Sequence, residues 1–369
     1  MTPVVIAPDS FKGTVTAADA ARVLADGWRD ADPEARIELR PMADGGEGTA
    51  DAFLAAVPGA VAMPVRVMGP EGAPIDASWV LLPPTADAPG GTGVVDLAST
   101  SGIELLDELR PLDADTAGFG EAIAAALDHG VSRLILGIGS SASTDGGTGM
   151  LRALGARFPD GGGAEAVPGA RGLASIATAD LSGLRPAPDV RVLTDVTNPL
   201  TGPRGAAAVF GPQKGLDGSE IARADTGLER LAELFGQDPS IPGSGAAGGT
   251  GAALLAWGGR LVPGAAEVAR LSGLADALAG ADVVVTGEGS YDGQSGDGKV
   301  PSFVAALARA AGARVVVVAG RIAPDADRTL FDEAVSLTEL AGSPEAAMVD
   351  PQRWLREAGA RLARSGAVR

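Results

Sequence analysis

Residues 4–49 read VVIAPDSFKGTVTAADAARVLADGWRDADPEARIELRPMADGGEGT. The apolar run at 4–7 predicts a short buried strand, and Thr16 is well placed to cap a helix over 17–29. A second strand at 37–40 ends in a polar, glycine-rich loop, and another helix follows at 47–56. Strand, loop and helix repeated in this order are typical of an open parallel α/β sheet.

The pattern changes after about residue 62. Three short strands at 61–68, 77–82 and 94–98 are separated by glycine and proline turns without a helix, so we expect antiparallel pairing there. Further strands are predicted at 134–138, 190–194, 283–286 and 315–319. Helices are predicted at 116–128, 219–236, 301–311 and 344–365. The sequence therefore predicts a parallel-sheet α/β module with a second, inserted or following module.

Composition excludes several classes of protein. The 369 residues carry a formal net charge of −18, contain no cysteine and contain one histidine, His129. The absence of cysteine excludes disulfide scaffolds, cysteine-ligated zinc and a thiolate nucleophile. A strongly acidic surface argues against binding to nucleic acid or to anionic membranes. No apolar run is long enough to span a bilayer, so we expect a cytoplasmic protein.

The basic residues are mostly arginine. Only three of the 29 are lysine, namely Lys12, Lys214 and Lys299, and all three lie in glycine-containing turns. A lysine kept at these positions in an arginine-rich chain indicates a need for a compact ammonium group. The alternative is that the three lysines were kept by chance.

Polar loops follow five of the predicted strands. Because ligands of open α/β sheets bind outside the carboxyl ends of the strands, we expect these loops to share one site. Reversal of the chain alone would also favour glycine and aspartate. The loops are 9–13, 44–49, 140–147, 195–198 and 287–292.

The acids and lysines in these loops suit phosphoryl transfer. That reaction needs a carboxylate near the attacking hydroxyl, Mg²⁺ ligands and cations that neutralise the moving phosphoryl group. Capping of helix N-termini is the alternative role for two or three of the aspartates. Glycine-rich segments at 140–147 and 243–251 precede helices, where backbone N–H groups suit a phosphate or a carboxylate. Tight packing of an Ala/Gly helix is the alternative for 243–251.

Six segments together resemble the bacterial glycerate kinase family, type I, and they span nearly the whole chain. DVTNPL and FGPQKG are the most specific of their motifs. The family pattern has GGSATNDGG where this chain has GSSASTDGG at 139–147, so Ser140 and Thr144 are departures. The segments are APDSFKGTVTA (7–17), MADGGEGT (42–49), GIGSSASTDGGTGMLRALGARF (137–158), DVTNPLTGPRGAAAVFGPQKG (195–215), PGSGAAGGTGAALLAWG (242–258) and VVVTGEGSYDGQSGDGKVP (283–301).

The resemblance implies ATP-dependent phosphorylation of D-glycerate with Mg²⁺, most often to 2-phosphoglycerate. It also implies two α/β modules, a flavodoxin/Rossmann-like parallel sheet domain (1–62 and 281–369) and an inserted mixed α/β domain (63–280), with the active site in the cleft between them. The sequence does not say which acids bind Mg²⁺, and it does not reveal the oligomeric state.

The roles that the resemblance implies fall into three groups. Catalytic roles are expected of Asp195, which would accept the hydroxyl proton, and of Lys12 and Lys214. Substrate binding is expected of Asp9, Ser10, Asp44, Gly45, Gly46, Glu47, Ser141, Ser143, Asp145 and Asn198. Nucleotide binding is expected of Gly243, Gly245, Gly248, Gly249, Glu288, Asp292 and Lys299.

Three alternatives remain open. The chain could be a kinase for another small hydroxy acid, because the altered 140–144 loop could change the substrate. It could be a binding protein without turnover, although the retained acids and lysines argue against that. A nicotinamide dehydrogenase would need a dinucleotide fingerprint that is not found.

Overall fold

The computed structural model describes residues 2–293 and 299–366. These residues form strands β1 (Pro3–Ile6), β2 (Arg36–Leu39), β3 (Val61–Met68), β4 (Pro74–Leu82), β5 (Thr92–Asp96), β6 (Arg133–Gly137), β7 (Asp189–Leu193), β8 (Arg260–Val262), β9 (Val283–Tyr291), β10 (Arg314–Ile322) and β11 (Glu333–Ser336).

The same residues form helices, several of them short. They are α1 (Ala17–Ala31), α2 (Thr49–Ala56), α3 (Leu97–Ser101), α4 (Ala117–His129), α5 (Thr148–Ala153), α6 (Ala170–Leu173), α7 (Ala206–Phe210), α8 (Gly218–Phe235), α9 (Thr250–Ala256), α10 (Gly264–Ser272), α11 (Leu274–Leu278), α12 (Val300–Ala310), α13 (Leu337–Ala341), α14 (Pro344–Val349) and α15 (Pro351–Gly366).

The described chain divides into two compact units. Unit 1 contains residues 2–44, 51–58 and the described part of 265–366, and unit 2 contains residues 45–50 and 59–264. Each unit has its own sheet. The predicted division at residues 62 and 280 stays a prediction.

Unit 1 is built on a five-stranded, wholly parallel sheet. Its strand order is β2-β1-β9-β10-β11. Numbered within the unit, this is the flavodoxin-like order 2-1-3-4-5, in which the direction of winding reverses between the second and third strands of the row. Strands β1 and β9 flank that switch point.

Helices α1 and α15 cover one face of the unit 1 sheet. Thr16 caps α1, since its hydroxyl accepts the N–H of Asp19. The two helices approach closely where glycines replace side chains: a Cβ on Gly27 would lie 1.9 Å from the Arg356 carbonyl oxygen, and one on Gly359 would lie 2.2 Å from that of Leu24. Glycine is required there for packing and not for a turn.

Unit 2 contains a six-stranded mixed sheet in the order β3-β4-β5-β6-β7-β8. The pairs β3–β4 and β4–β5 are antiparallel, and the others are parallel. Its core includes Phe119, Leu134 and Leu254, all fully buried. The predicted fold class, a parallel sheet with a second mixed α/β module, is confirmed.

Two predicted elements were wrong in extent. The strand expected at 283–286 continues to Tyr291, because Arg321 and Ile322 of β10 keep pairing with Ser290 and Tyr291; residues 287–291 are therefore strand and not loop. The single helix expected at 344–365 is two helices. Pro351 cannot continue α14, and Asp350 before it is non-helical. Residues 294–298 of the predicted loop lie outside the described residues.

Several further elements were not predicted, namely α3, α7, β8, α10, α11, β11 and α13. In the part of the chain that the structure describes, none of the helices is long and apolar enough to cross a membrane.

A substitution at the α1–α15 crossing tests the packing of unit 1. Gly359→Ala should lower the free energy of unfolding by about 1–3 kcal/mol, because the new methyl group meets backbone that cannot move aside. Urea unfolding measures the change. Gly218→Ala is the control, since nothing lies within 4 Å of its added Cβ and its backbone is ordinary. Equal stability of the two variants would contradict the close approach of α15 to α1 at this glycine.

Candidate active site

A pocket of about 570 Å³ opens in unit 1 at the carboxyl ends of β1 and β9. Its position follows from the sheet, because the crevice at a topological switch point is where ligands of such folds bind. The pairing of β1 with β9 continues past the end of β1, where the Asp9 N–H donates to the Gly287 carbonyl at 2.8 Å. This bond brings the segment after β1 alongside Glu288.

Seven predicted site residues line this pocket. They come from three parts of the sequence, and they are Asp9, Ser10, Lys12, Asp44, Glu288, Asp292 and Lys299. Sequence reasoning missed the others, of which Arg321 had a usable signal, since it follows the buried run of β10. The missed residues are Phe11, Thr14, Gly289, Ser290, Gly320, Arg321, Leu337, Thr338, Pro344, Ala347, Met348 and Pro351.

Asp9 carries the strongest electrostatic perturbation of the pocket. Burial raises the pKa of its carboxyl group well above the usual value, and the negative charges of Asp44 and Glu288 raise it further. The N–H of Ser10, at 2.7 Å from Asp9 Oδ1, and the charge of Lys12 act in the opposite direction without reversing the shift. Like charges are thus held together at some cost, as is common at functional sites.

Three cationic side chains line the same pocket. Lys12 lies in the turn after β1, Lys299 immediately precedes α12, and Arg321 belongs to the end of β10. Ammonium and guanidinium groups are suited to phosphate oxygens. The pocket therefore combines carboxylates with cations, as phosphoryl transfer requires.

The donor set of the pocket fits Mg²⁺, although it does not form a closed metal cage. Among residues 2–293 and 299–366, no three Asp, Glu or His side chains are grouped closely enough to hold a metal ion. Mg²⁺ is commonly held by one or two carboxylates together with substrate phosphates and water. Asp9, Asp44 and Glu288 provide carboxylates of that kind.

In unit 2, Lys214 lies against the loop at 140–147. Its side chain is buried, and the Nζ donates to the Ser141 hydroxyl at 2.7 Å and to the Ser143 carbonyl. Burial lowers the pKa of Lys214 to about 7, although the charge of Asp145 acts to raise it. The structure therefore brings together three predicted residues, Lys214, Ser141 and Ser143.

Asp145 shapes this loop from within. Its fully buried carboxylate accepts hydrogen bonds from the Ser143 hydroxyl, the backbone N–H groups of Gly147 and Gly149, and both the N–H and the hydroxyl of Thr116. These five bonds tie the loop to the start of α4. Buried polar groups need such partners, so these bonds account for the burial of the carboxylate, and the role of Asp145 in substrate binding stays a prediction.

Asp195 and Asn198 follow β7 in the segment DVTNP. Asp195 is exposed, and its Oδ1 accepts the N–H of Gly264 at 3.1 Å. The side-chain amide of Asn198 donates to the Arg204 carbonyl, and the backbone carbonyl of Asn198 accepts the N–H groups of Gly243 and Gly245. The segment after β7 thus positions the beginning of the glycine-rich run.

The glycine-rich run is closely packed. A Cβ on Gly245 would lie 2.0 Å from the Pro199 carbonyl oxygen, and one on Gly248 would lie 2.1 Å from that of Ser143. Gly243 and Gly249 have positive φ angles. Packing and backbone conformation already account for these glycines, so their role in nucleotide binding stays a prediction.

The remaining predicted residues, Gly45, Gly46 and Glu47, also lie in unit 2. Gly45 has a φ of 98°, and its carbonyl accepts the N–H of Gly139 at 2.9 Å. Gly46 and Glu47 are half-buried. This segment is thereby attached to the residue that precedes the 140–147 loop.

Comparison with known proteins gives the family. The model of the glycerate kinase family matches residues 4–366. The chain is 40% identical to glycerate 2-kinase of Escherichia coli K12 over 333 residues, which cover 87% of this chain and 86% of that one. It is 39% identical to glycerate kinase of Bacillus subtilis 168 over 335 residues, covering 88% and 86%. The chain belongs to the glycerate kinase family.

A solved structure supports the same assignment. The crystal structure of a Salmonella typhimurium LT2 protein, provisionally assigned as a glycerate kinase 2, matches with a TM-score of 0.83 and 38% identity, and the match covers 99% of this chain and 98% of that one. The resemblance to the family that the motifs indicated is confirmed.

Ser140 and Thr144 are two of the positions at which the 140–147 loop departs from the family pattern. Ser140 has a φ of 58°, in the left-handed region where glycine is favoured. Thr144 is buried, and within the described residues its hydroxyl makes no hydrogen bond. The glycine of the family pattern at position 140 therefore has a conformational reason.

Removal of the Asp9 charge should stabilise the fold. The folded-state pKa of Asp9 is raised, so its contribution to stability is full below the unfolded value near 3.8 and is lost as the pH rises. Asp9→Asn should raise the free energy of unfolding by about 0.5–2 kcal/mol at pH 7 and by less at pH 3.5.

Urea unfolding at the two pH values measures this difference. Asp325→Asn, at an exposed position of unit 1, serves as the control and should change little. A loss of stability in Asp9→Asn at pH 7 would show that the carboxylate is not strained by its neighbours.

Lys214 should make the free energy of unfolding increase with pH between about pH 7 and pH 10.5. Its folded-state pKa of about 7 lies below the unfolded value of 10.5, so between these values the unfolded chain binds the additional proton and stability rises with pH. The wild type should gain up to about 1.4 kcal/mol per pH unit there relative to Lys214→Met.

Ser141→Ala is the control for this measurement because it keeps the buried lysine and should keep the rise. Parallel stability curves for the wild type and Lys214→Met between pH 7 and pH 10 would exclude a lowered pKa at Lys214.

Proposed function

We propose that the protein transfers the terminal phosphoryl group of ATP to a hydroxyl group of D-glycerate, with 2-phosphoglycerate as product. The observation that carries this proposal is the family match over residues 4–366. The pocket of carboxylates and cations at the β1–β9 switch point supports it, and so does the name of the E. coli relative, glycerate 2-kinase. ATP is available in the cytoplasm, where this reaction would take place.

The roles proposed for unit 1 follow from its charges. Lys12 neutralises charge on the transferred phosphoryl group, and Glu288, Asp292 and Lys299 act towards the nucleotide. Mg²⁺, when bound, would offset phosphate charge, and one or two of the carboxylates of Asp9, Asp44 and Glu288 would hold it together with phosphate oxygens and water. Burial and, after it, the negative charges of Asp44 and Glu288 raise the pKa of Asp9, and a bound cation would oppose the effect of those charges.

The roles proposed for unit 2 concern glycerate and its hydroxyl proton. Asp195 accepts the proton of the attacking hydroxyl group, because it is an exposed carboxylate held at the end of a parallel strand. Lys214 with Ser141 and Ser143 acts on the carboxylate of glycerate. A lysine with a pKa of about 7 is partly neutral at physiological pH, and an anion beside it would favour the charged form.

Release of ADP, measured in a coupled assay, tests the reaction directly. Glycerate should support turnover well above that with lactate, tartronate or erythronate at equal concentration. Phosphorus NMR of the product should show 2-phosphoglycerate and not the 3-isomer. Preference for another hydroxy acid would overturn the substrate, and binding of ATP without turnover would overturn the enzymatic function.

Asp195→Asn tests the proposed base. Asparagine keeps an oxygen that can accept the Gly264 N–H but cannot take a proton, so kcat should fall by about 10²–10⁴-fold while the KM for glycerate changes little. Steady-state kinetics measure both values. Asp238→Asn, at an exposed loop position of unit 2, should retain wild-type kcat. Near-normal turnover in Asp195→Asn would remove Asp195 from this role.

A further inference from the structure

The unit 1 pocket has an apolar wall that the charged groups do not explain. Leu337 of α13, Pro344, Ala347 and Met348 of α14, and Pro351 of α15 line it. Leu337 and Ala347 are buried, so this side of the pocket has a fixed apolar base. Small-molecule sites typically pair such a surface with a few polar groups.

Met348 lies at the exposed edge of this wall. Its exposed fraction is 68%, although it lines the pocket, and that of its neighbour Val349 is 86%. Val349 does not line the pocket. Methionine is flexible and its thioether packs favourably against aromatic rings. A flat, apolar ligand in the pocket would cover Met348 and leave Val349 exposed.

Cations line the same pocket. Besides Lys12 and Lys299, it includes Arg321, whose residue pairs with Ser290 in the β9–β10 ladder. Within the described part of the chain, the side chain of Arg321 makes no hydrogen bond and no ion pair. A planar guanidinium that is not held by a carboxylate can bind two phosphate oxygens at once.

The apolar wall and the cations together favour ATP over glycerate as the ligand of this pocket. We propose that this pocket binds the nucleotide, with the base against Met348 and the apolar wall and with the phosphates on Arg321 and the two lysines. The inference rests on the proposed function and specifies which substrate enters this pocket. A three-carbon acid would fill only a fraction of 570 Å³ and has no apolar ring to cover the wall. The glycine run at 243–249 is then not needed as the base or phosphate site.

Binding measurements separate the base contact from the phosphate contact. Calorimetry compares ADP with inorganic tripolyphosphate, both with Mg²⁺. Met348→Asp should weaken the binding of ADP at least tenfold and leave the affinity for tripolyphosphate unchanged. Val349→Asp, one residue away but outside the pocket, should leave both affinities unchanged. Arg321→Gln should weaken both ligands, and Arg328→Gln, at an exposed position on the same unit, should weaken neither. Unchanged ADP affinity in Met348→Asp would overturn the base contact.

Photolabelling locates the base without relying on turnover. After irradiation with 8-azido-ATP, the label should appear in the tryptic peptide 329–353, which contains Met348, and excess ATP should suppress it. Label in peptide 231–260 would place the base at the glycine run and overturn the inference alone, with the proposed function unaffected. A protein that neither binds nor hydrolyses ATP would contradict the proposed function and, with it, this inference.

Discussion

Strand β1 is hydrogen-bonded on both sides, and the charge chemistry of unit 1 depends on that pairing. Val4 pairs with Ile37 of β2 and with Val283 of β9. The same ladder continues as the Asp9 N–H bonds the Gly287 carbonyl, so two acidic segments far apart in sequence end side by side. Asp9, Glu288 and Asp44 are then close enough for their charges to raise the pKa of Asp9. The backbone pairing of β1 with β9 places these carboxylates near one another although their negative charges repel.

In unit 2, burial also shifts the pKa of an ionisable group, the ammonium of Lys214. Burial disfavours the charged form of both groups, so it raises the pKa of Asp9 and lowers that of Lys214. The loop that receives Lys214 is fixed by Asp145, whose carboxylate makes five hydrogen bonds. This hydrogen-bonded loop holds Lys214 buried against Ser141 and Ser143, and its ammonium group makes no ion pair within the described residues. Keeping these two ionisable groups buried therefore lowers the stability of each unit.

Sequence patterns predicted the strand–loop–helix alternation and the cap at Thr16, because these depend on nearby residues. They also singled out polar loops at strand ends, and six of the site residues predicted in those loops line one pocket together with Lys299. The extension of β9 to Tyr291 could not be seen, since it depends on a partner strand that is distant in the chain. Met348 was missed for a similar reason: an exposed methionine gains meaning only from its place at the edge of a pocket. Burial of Lys214 likewise depends on tertiary packing.

The titration of the Asp9 carboxyl group tests most directly whether pairing of β1 with β9 gathers like charges in one pocket. Carbon-13 NMR of protein labelled at the aspartate carboxyl carbon can follow it, with Asp9→Asn identifying the signal. The ligand-free protein should show an aspartate that titrates well above 3.8 and moves towards 3.8 in Asp44→Asn. An Asp9 signal that titrates near 3.8, or that is unaffected by removal of the Asp44 charge, would contradict this view of the site.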